Sequence, residues 1–119
     1  MAKAKGITTE AFNGFDPVAF APGAPQSLID KSLNDMVAFN RRSAKSHSGI
    51  WRDLAIRKRR TEVEPQLGPI VSTGKNVGVP TPLTARLIEM IIEMENGSRQ
   101  FSADNLRELE QAAPVAARA

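Results

Sequence analysis

Apolar residues recur along this chain at helical spacing and nowhere alternate with polar ones over a useful length. Ile29, Leu33, Met36 and Val37 follow one another at four-, three- and one-residue steps, which predicts a striped helix over about 27–42. Ser27, with Asp30 three residues on, resembles a capping box at its start. Small and polar residues from Ser43 to Gly49 break the pattern. A second helix is expected from about Ser48 to Arg59, with Ser48 as cap, Ile50, Trp51 and Leu54 apolar, and Arg52, Asp53, Arg57 and Lys58 mostly solvated. Thr61 as N-cap and Glu64 reaching back to it fit a capping box for a third helix, about 62–77. Val63, Leu67, Ile70 and Val71 face inward there, Pro69 predicts a kink, and Gly74, Asn76 and Gly78 are stop signals. A fourth helix opens on Thr81 and Pro82 and closes at Asn96-Gly97. From Leu83 to Met94 it is apolar round more than half its circumference, so it must be buried on two sides. Residues 102–105 open a short fifth helix carrying Leu106 and Leu109, and residues 111–119 should fray.

Met1 to Gln26 reads as irregular, because Gly14, Pro17, Pro22, Gly23 and Pro25 punctuate it too densely for a helix. Phe12, Phe15, Val18 and Phe20 lie inside it, so the segment should dock on a hydrophobic surface. The expected fold is all-α: one domain over 1–119, with an irregular docked segment 1–26, a five-helix core 27–110 and a frayed tail.

Composition narrows the chemistry. Sixteen Lys and Arg against thirteen Asp and Glu give a net charge of +3, too mild for a dedicated nucleic-acid binder. Zero Cys excludes a disulfide scaffold, a zinc ribbon and a thiol nucleophile, and no metal site is expected. No apolar run reaches the roughly 20 residues of a membrane span, and a cytoplasmic setting is expected. With one His, the chain has few groups for independent catalysis, which favours a part of something larger or a partner-binding module.

Three features carry candidate chemistry. His47-Ser48 lacks the converging acid and nucleophile elbow of a hydrolase; Ser48 reads as a helix cap or as part of an anion site at the helix start. Glu62, in the first turn of its helix and just after Arg57-Lys58-Arg59-Arg60, is either a dipole partner or a carboxylate held beside cations to bind a hydroxyl or ribose. The basic run itself has acids at Glu62 and Glu64 and no interleaved aromatics, which fits a solvated helix end better than a nucleic-acid face. The apolar Leu83–Met94 stripe is core, or a surface for a partner or a second copy.

Ser48-Gly49-Ile50-Trp51-Arg52-Asp53-Leu54, then Arg59-Arg60-Thr61-Glu62, then a helix with Gly68 near its middle, then Gly78-Val79-Pro80-Thr81-Pro82 resemble the C-terminal helical domain of ketopantoate reductases (2-dehydropantoate 2-reductases). Order and spacing hold over about 27–95. The interval from Asp53 to Glu62 is one residue longer than in typical members, so Gly49 is an alternative to Ser48 as the aligned position. Pro65 and Leu67 stand where many members have Tyr and Asn.

The resemblance implies a 6-phosphogluconate-dehydrogenase C-terminal-like helical fold. It implies part of an oxidoreductase that reduces ketopantoate to pantoate with NADP(H) in pantothenate synthesis. By family pattern Ser48 contacts the substrate carboxylate, and Glu62 is the catalytic-site acid that helps bind the substrate hydroxyl or the cofactor ribose. The family's dinucleotide-binding domain and its catalytic Lys are expected to be absent, Lys3 and Lys5 sitting in no matching context. No cofactor is then expected to bind this chain. Its partner is the missing domain, or a second copy through the exposed apolar helix, rather than nucleic acid or membrane. The rival reading is a small helical interaction or regulatory module without catalysis.

Overall fold

A computed structural model describes residues 1–113, and the chain is helical, with five α-helices and no strand among the described residues. They are α1 (Gln26–Arg41), α2 (Gly49–Arg52), α3 (Val63–Asn76), α4 (Pro82–Glu95) and α5 (Asp104–Gln111). The expected frayed tail falls, from residue 114 on, outside the described residues. The sequence expects one domain; the contacts gather in two compact units, Ala2–His47 and the residues from Ser48 onward.

In Ala2–His47 the proline-rich segment docks on α1, with Ala19 fully buried and Phe15 half-buried. Asn13 and Gly14 both take positive φ (52° and 87°), as a tight two-residue turn requires, and Phe12 and Phe15 exchange backbone hydrogen bonds across it. A Cβ on Gly14 would meet the Asp35 carbonyl carbon at 2.5 Å, so only glycine lets the turn sit this close to α1. The buried Ser32 hydroxyl fastens it, accepting from the Asp16 N–H (2.9 Å) and donating to the Gly14 carbonyl (3.1 Å). Phe15 stacks on Phe20 and touches Phe12, while Phe12 and Phe20 stay exposed. The apolar stripe of α1 is therefore not fully covered: Leu33 and Val37 are 46% and 47% exposed. The helix also starts one residue earlier than the expected Ser27 cap, because extended Pro25 leads straight into it and takes the Leu28 N–H on its carbonyl. Asp30 accepts from the Gln26 side chain instead.

In the second unit Leu54, Val63 and Ile91 form the core, ringed by half-buried Ile50, Leu67, Leu87, Ile88, Ile92 and Met94. Met90 is buried as well, so α4 is covered along one side and only half covered on the flanks, where burial on two sides was expected. Gly74 does not stop α3. It lies buried inside the helix, and the chain turns only after Asn76. A Cβ there would come within 2.6 Å of the Val79 carbonyl oxygen and 3.0 Å of Thr81 Cγ2. Thr81 stands at the start of α4 as expected, but its side chain makes no capping bond and packs on Gly74. Helix α3 continues through Pro69.

An arginine–carboxylate network ties α5 to α4. Arg86 reaches Glu93 (2.9 Å) and Glu108 (2.5 Å), and Arg99 binds Glu93 (2.5 Å), Asn105 (2.9 Å) and both oxygens of Glu108. The hydrogen bonds from Arg99 and Arg86 hold the Glu108 carboxyl at about 2, below the ordinary 4.5.

Two glycines of α3 should separate cleanly in denaturant titration. Gly74→Ala meets backbone and should lose about 1–3 kcal/mol, as overpacking does. Gly68→Ala, with open space around the new methyl, should gain up to about 1 kcal/mol from helix propensity.

Candidate functional site

The segment from Ser48 to Glu62 is built round one carboxylate. Ser48 is extended and caps α2: its Oγ accepts from the Trp51 N–H at 3.1 Å, as expected, which leaves the hydroxyl proton to donate elsewhere. Helix α2 passes directly into a π turn, Asp53–Arg57. The turn closes with both the Lys58 and Arg59 N–H groups on the Asp53 carbonyl. Lys58 adopts a left-handed conformation (φ 52°), a cost of about 1–2 kcal/mol for a residue with a Cβ. That reversal brings Arg59 back over the turn. Arg57 Nη1 (2.8 Å) and Arg59 Nε (2.9 Å) then both donate to Asp53 Oδ1.

Asp53 is thus not solvated, as the sequence suggests, but 6% exposed. Hydrogen bonds from Arg57, then Arg59, hold its carboxyl below the ordinary 3.8, against the opposing effect of burial. Nor does Glu64 cap Thr61. Glu64 pairs with Arg60 at 3.2 Å, and the Thr61 N–H (2.8 Å) and hydroxyl (2.6 Å) both donate to Glu95 of α4. Thr61 Oγ1 in turn accepts from the Val63 N–H, so a tertiary carboxylate replaces the local box. The basic run is divided among these acids: Arg57 and Arg59 on Asp53, Arg60 on Glu64 and Glu95.

Glu62 follows at the mouth of α3, exposed, with Oε2 accepting from Gln66 Nε2 at 3.1 Å. Ser48, Gly49 and Glu62 line one cleft of about 240 Å³, whose wall includes Asp53, Arg57 and Arg59. A π turn holds one residue more than an α turn. Both Ser48 and Gly49 lie beside Glu62 on this cleft. Asp53 and Glu95 are the residues the sequence reading missed. The signal was the dense Arg57–Arg60 cation run, which needs carboxylate partners. No group of three His, Asp or Glu suited to a metal occurs among the described residues, and no described helix is long and apolar enough to cross a membrane.

The arrangement offers a hydroxyl donor, two guanidinium groups and a carboxylate acceptor round a small space, which suits a compact molecule with an acid at one end and a hydroxyl at the other. The Asp53 clamp is testable by pH. Its folded carboxyl titrates below the unfolded one, so its stabilisation is complete above about 3.8 and fades as pH falls through the folded value. Asp53→Asn should be less stable than wild type at neutral pH, with the gap closing on acidification. A gap independent of pH would contradict the clamp.

A family model described as "Ketopantoate reductase PanE/ApbA C terminal" matches residues 2–95, so the match includes Ser48, the π turn and Glu62 and ends where α4 ends. No curated protein and no solved structure matches the chain. The family match spans well over half of the 119 residues and agrees with an all-α architecture, and the chain belongs to the ketopantoate reductase C-terminal domain family.

Proposed function

We propose that this chain is the substrate-binding helical part of a cytoplasmic ketopantoate-reductase-like oxidoreductase, and that its cleft takes a small 2-oxo acid. The observation that carries the reading is the meeting of Ser48 and Glu62 on one cleft. The Ser48 hydroxyl, with its proton unused by the cap, donates to the substrate carboxylate, and Arg57 and Arg59 offset the negative charge of Glu62 beside it. Glu62 accepts from the substrate hydroxyl through the oxygen that Gln66 leaves open.

The residues present do not fit the family's nicotinamide cofactor. Pockets that enclose drug-sized ligands run from about 300 Å³ upward, and a dinucleotide is larger still. The cleft, at about 240 Å³, is of a size for a small acid. Among the described residues there is no strand leading through a glycine-rich turn into a helix, the usual pyrophosphate cradle. In the complete enzyme NADP(H) supplies the hydride; here Glu62 at most meets a ribose hydroxyl, and no hydride step is assigned to these residues.

A second reading, a helical interaction module without catalysis, draws on the exposed Phe12, Val18, Leu33 and Val37. One experiment separates the two. Titrating isotopically labelled chain with ketopantoate should shift the amides of Ser48, Gly49, Glu62 and Gln66, and Ser48→Ala should weaken binding by about tenfold, the loss of one charge-assisted hydrogen bond. The 119-residue chain should show no NADPH-dependent turnover of ketopantoate. Turnover, or an absence of shifts at the cleft, would count against the proposal.

A further inference from the structure

The outer face of α3 and α4 carries a groove separate from the Ser48–Glu62 cleft. Two hollows of about 440 and 430 Å³ run together there, sharing Val71, Lys75 and Ala85. The first hollow is almost wholly apolar in lining, with Lys75 at its rim. On α3 the groove is walled by Glu64, Gly68, Val71 and Lys75, at four-, three- and four-residue steps, which is one helix face. A Cβ on Gly68 would meet nothing within 4 Å, so Gly68 serves no packing inside the chain. It leaves α3 bare at the middle of that face, where another helix can approach closely.

The charges identify the occupant. Glu64 and Lys75 stand at opposite ends of the face, about 16 Å apart along the axis. Laid antiparallel on itself about a point between Pro69 and Ile70, α3 brings Glu64 opposite Lys75 of a second copy, and Lys75 opposite its Glu64. The same operation sets Val71 over Gly68 of that copy, an apolar knob over the bare spot. A surface that complements itself under a two-fold axis is the signature of an isologous dimer. The current partner of Glu64 is Arg60, in a pair with both side chains solvent-exposed, so it gives way at little cost. Glu62 and Gln66 lie on the opposite side of α3, so the cleft stays open when this face is covered.

The geometry points to α3 pairing antiparallel with α3 of a second copy of this chain, through the groove it forms with α4. The test is sedimentation of the full chain from micromolar to millimolar concentration, with helical circular dichroism read first on each variant. Wild type should form a dimer as concentration rises. Glu64→Lys and Lys75→Glu, each placing like charges at both ends of the pairing, should weaken the dimer about tenfold or more. The double variant E64K/K75E restores both pairs and should recover it. Gly68→Gln, at a position with open space in the chain itself, should stay folded and be monomeric. A strict monomer at every concentration, a dimer indifferent to the single substitutions, or a double variant that fails to recover would each overturn the inference. None of these outcomes depends on ligand binding at Ser48 and Glu62.

Discussion

The chain from Ser48 to Glu62 depends on the carboxylate and carbonyl of Asp53. The carbonyl closes the π turn by accepting two successive N–H groups, and the carboxylate gathers Arg57 and Arg59. A buried carboxylate left unpaired would be destabilising; with two guanidinium partners it becomes the fixed point about which a strained Lys58 and a dense cation run are arranged. Leu54, next in sequence, enters the core, so the polar clamp and the apolar cluster are held in register by adjacent residues. Glu95 does the same from the far end of α4, bringing its carboxylate to the start of α3 through Thr61.

Apolar burial is sparse. Among the described residues only Ala19, Leu54, Val63, Met90 and Ile91 are buried hydrophobics, and much of the structure is held by polar geometry: Ser32 under a glycine turn, Asp53 under two arginines, and Arg86 and Arg99 between α4 and α5. Exposed Phe12, Leu33, Val37, Ile56 and Leu106 are the complement of that economy. A chain so lightly packed is suited to work against another surface.

The helices were legible in the sequence because their cues are local. Pro82 after Thr81, the Leu83–Met94 run and the Ser48 cap each specify structure within a turn or two, and α4 and α2 start where those residues place them. What was not legible is long-range or isosteric with something local. Thr61 and Glu64 have capping-box spacing, but a carboxylate thirty-four residues away takes the bonds. Gly74 looks like a stop signal, and only the approach of Val79 and Thr81 shows it to be a packing glycine. Asp53 reads as a surface charge until the π turn swings Arg59 over it. Ser48 and Glu62 were readable as candidates from residue type and family pattern; their shared cleft was not, since it depends on how the chain folds back between Asp53 and Glu62.

The most direct measurement is the set of couplings transmitted through hydrogen bonds in ¹³C,¹⁵N-labelled protein, which identify the carbonyl that each amide binds. The account predicts that the Lys58 and Arg59 amides both couple to the Asp53 carbonyl, closing the π turn that brings Arg59 over Asp53 on the wall of the cleft shared by Ser48 and Glu62. An unbroken α pattern, with the Arg57 amide coupled to the Asp53 carbonyl and neither Lys58 nor Arg59 joined to it, would contradict the account.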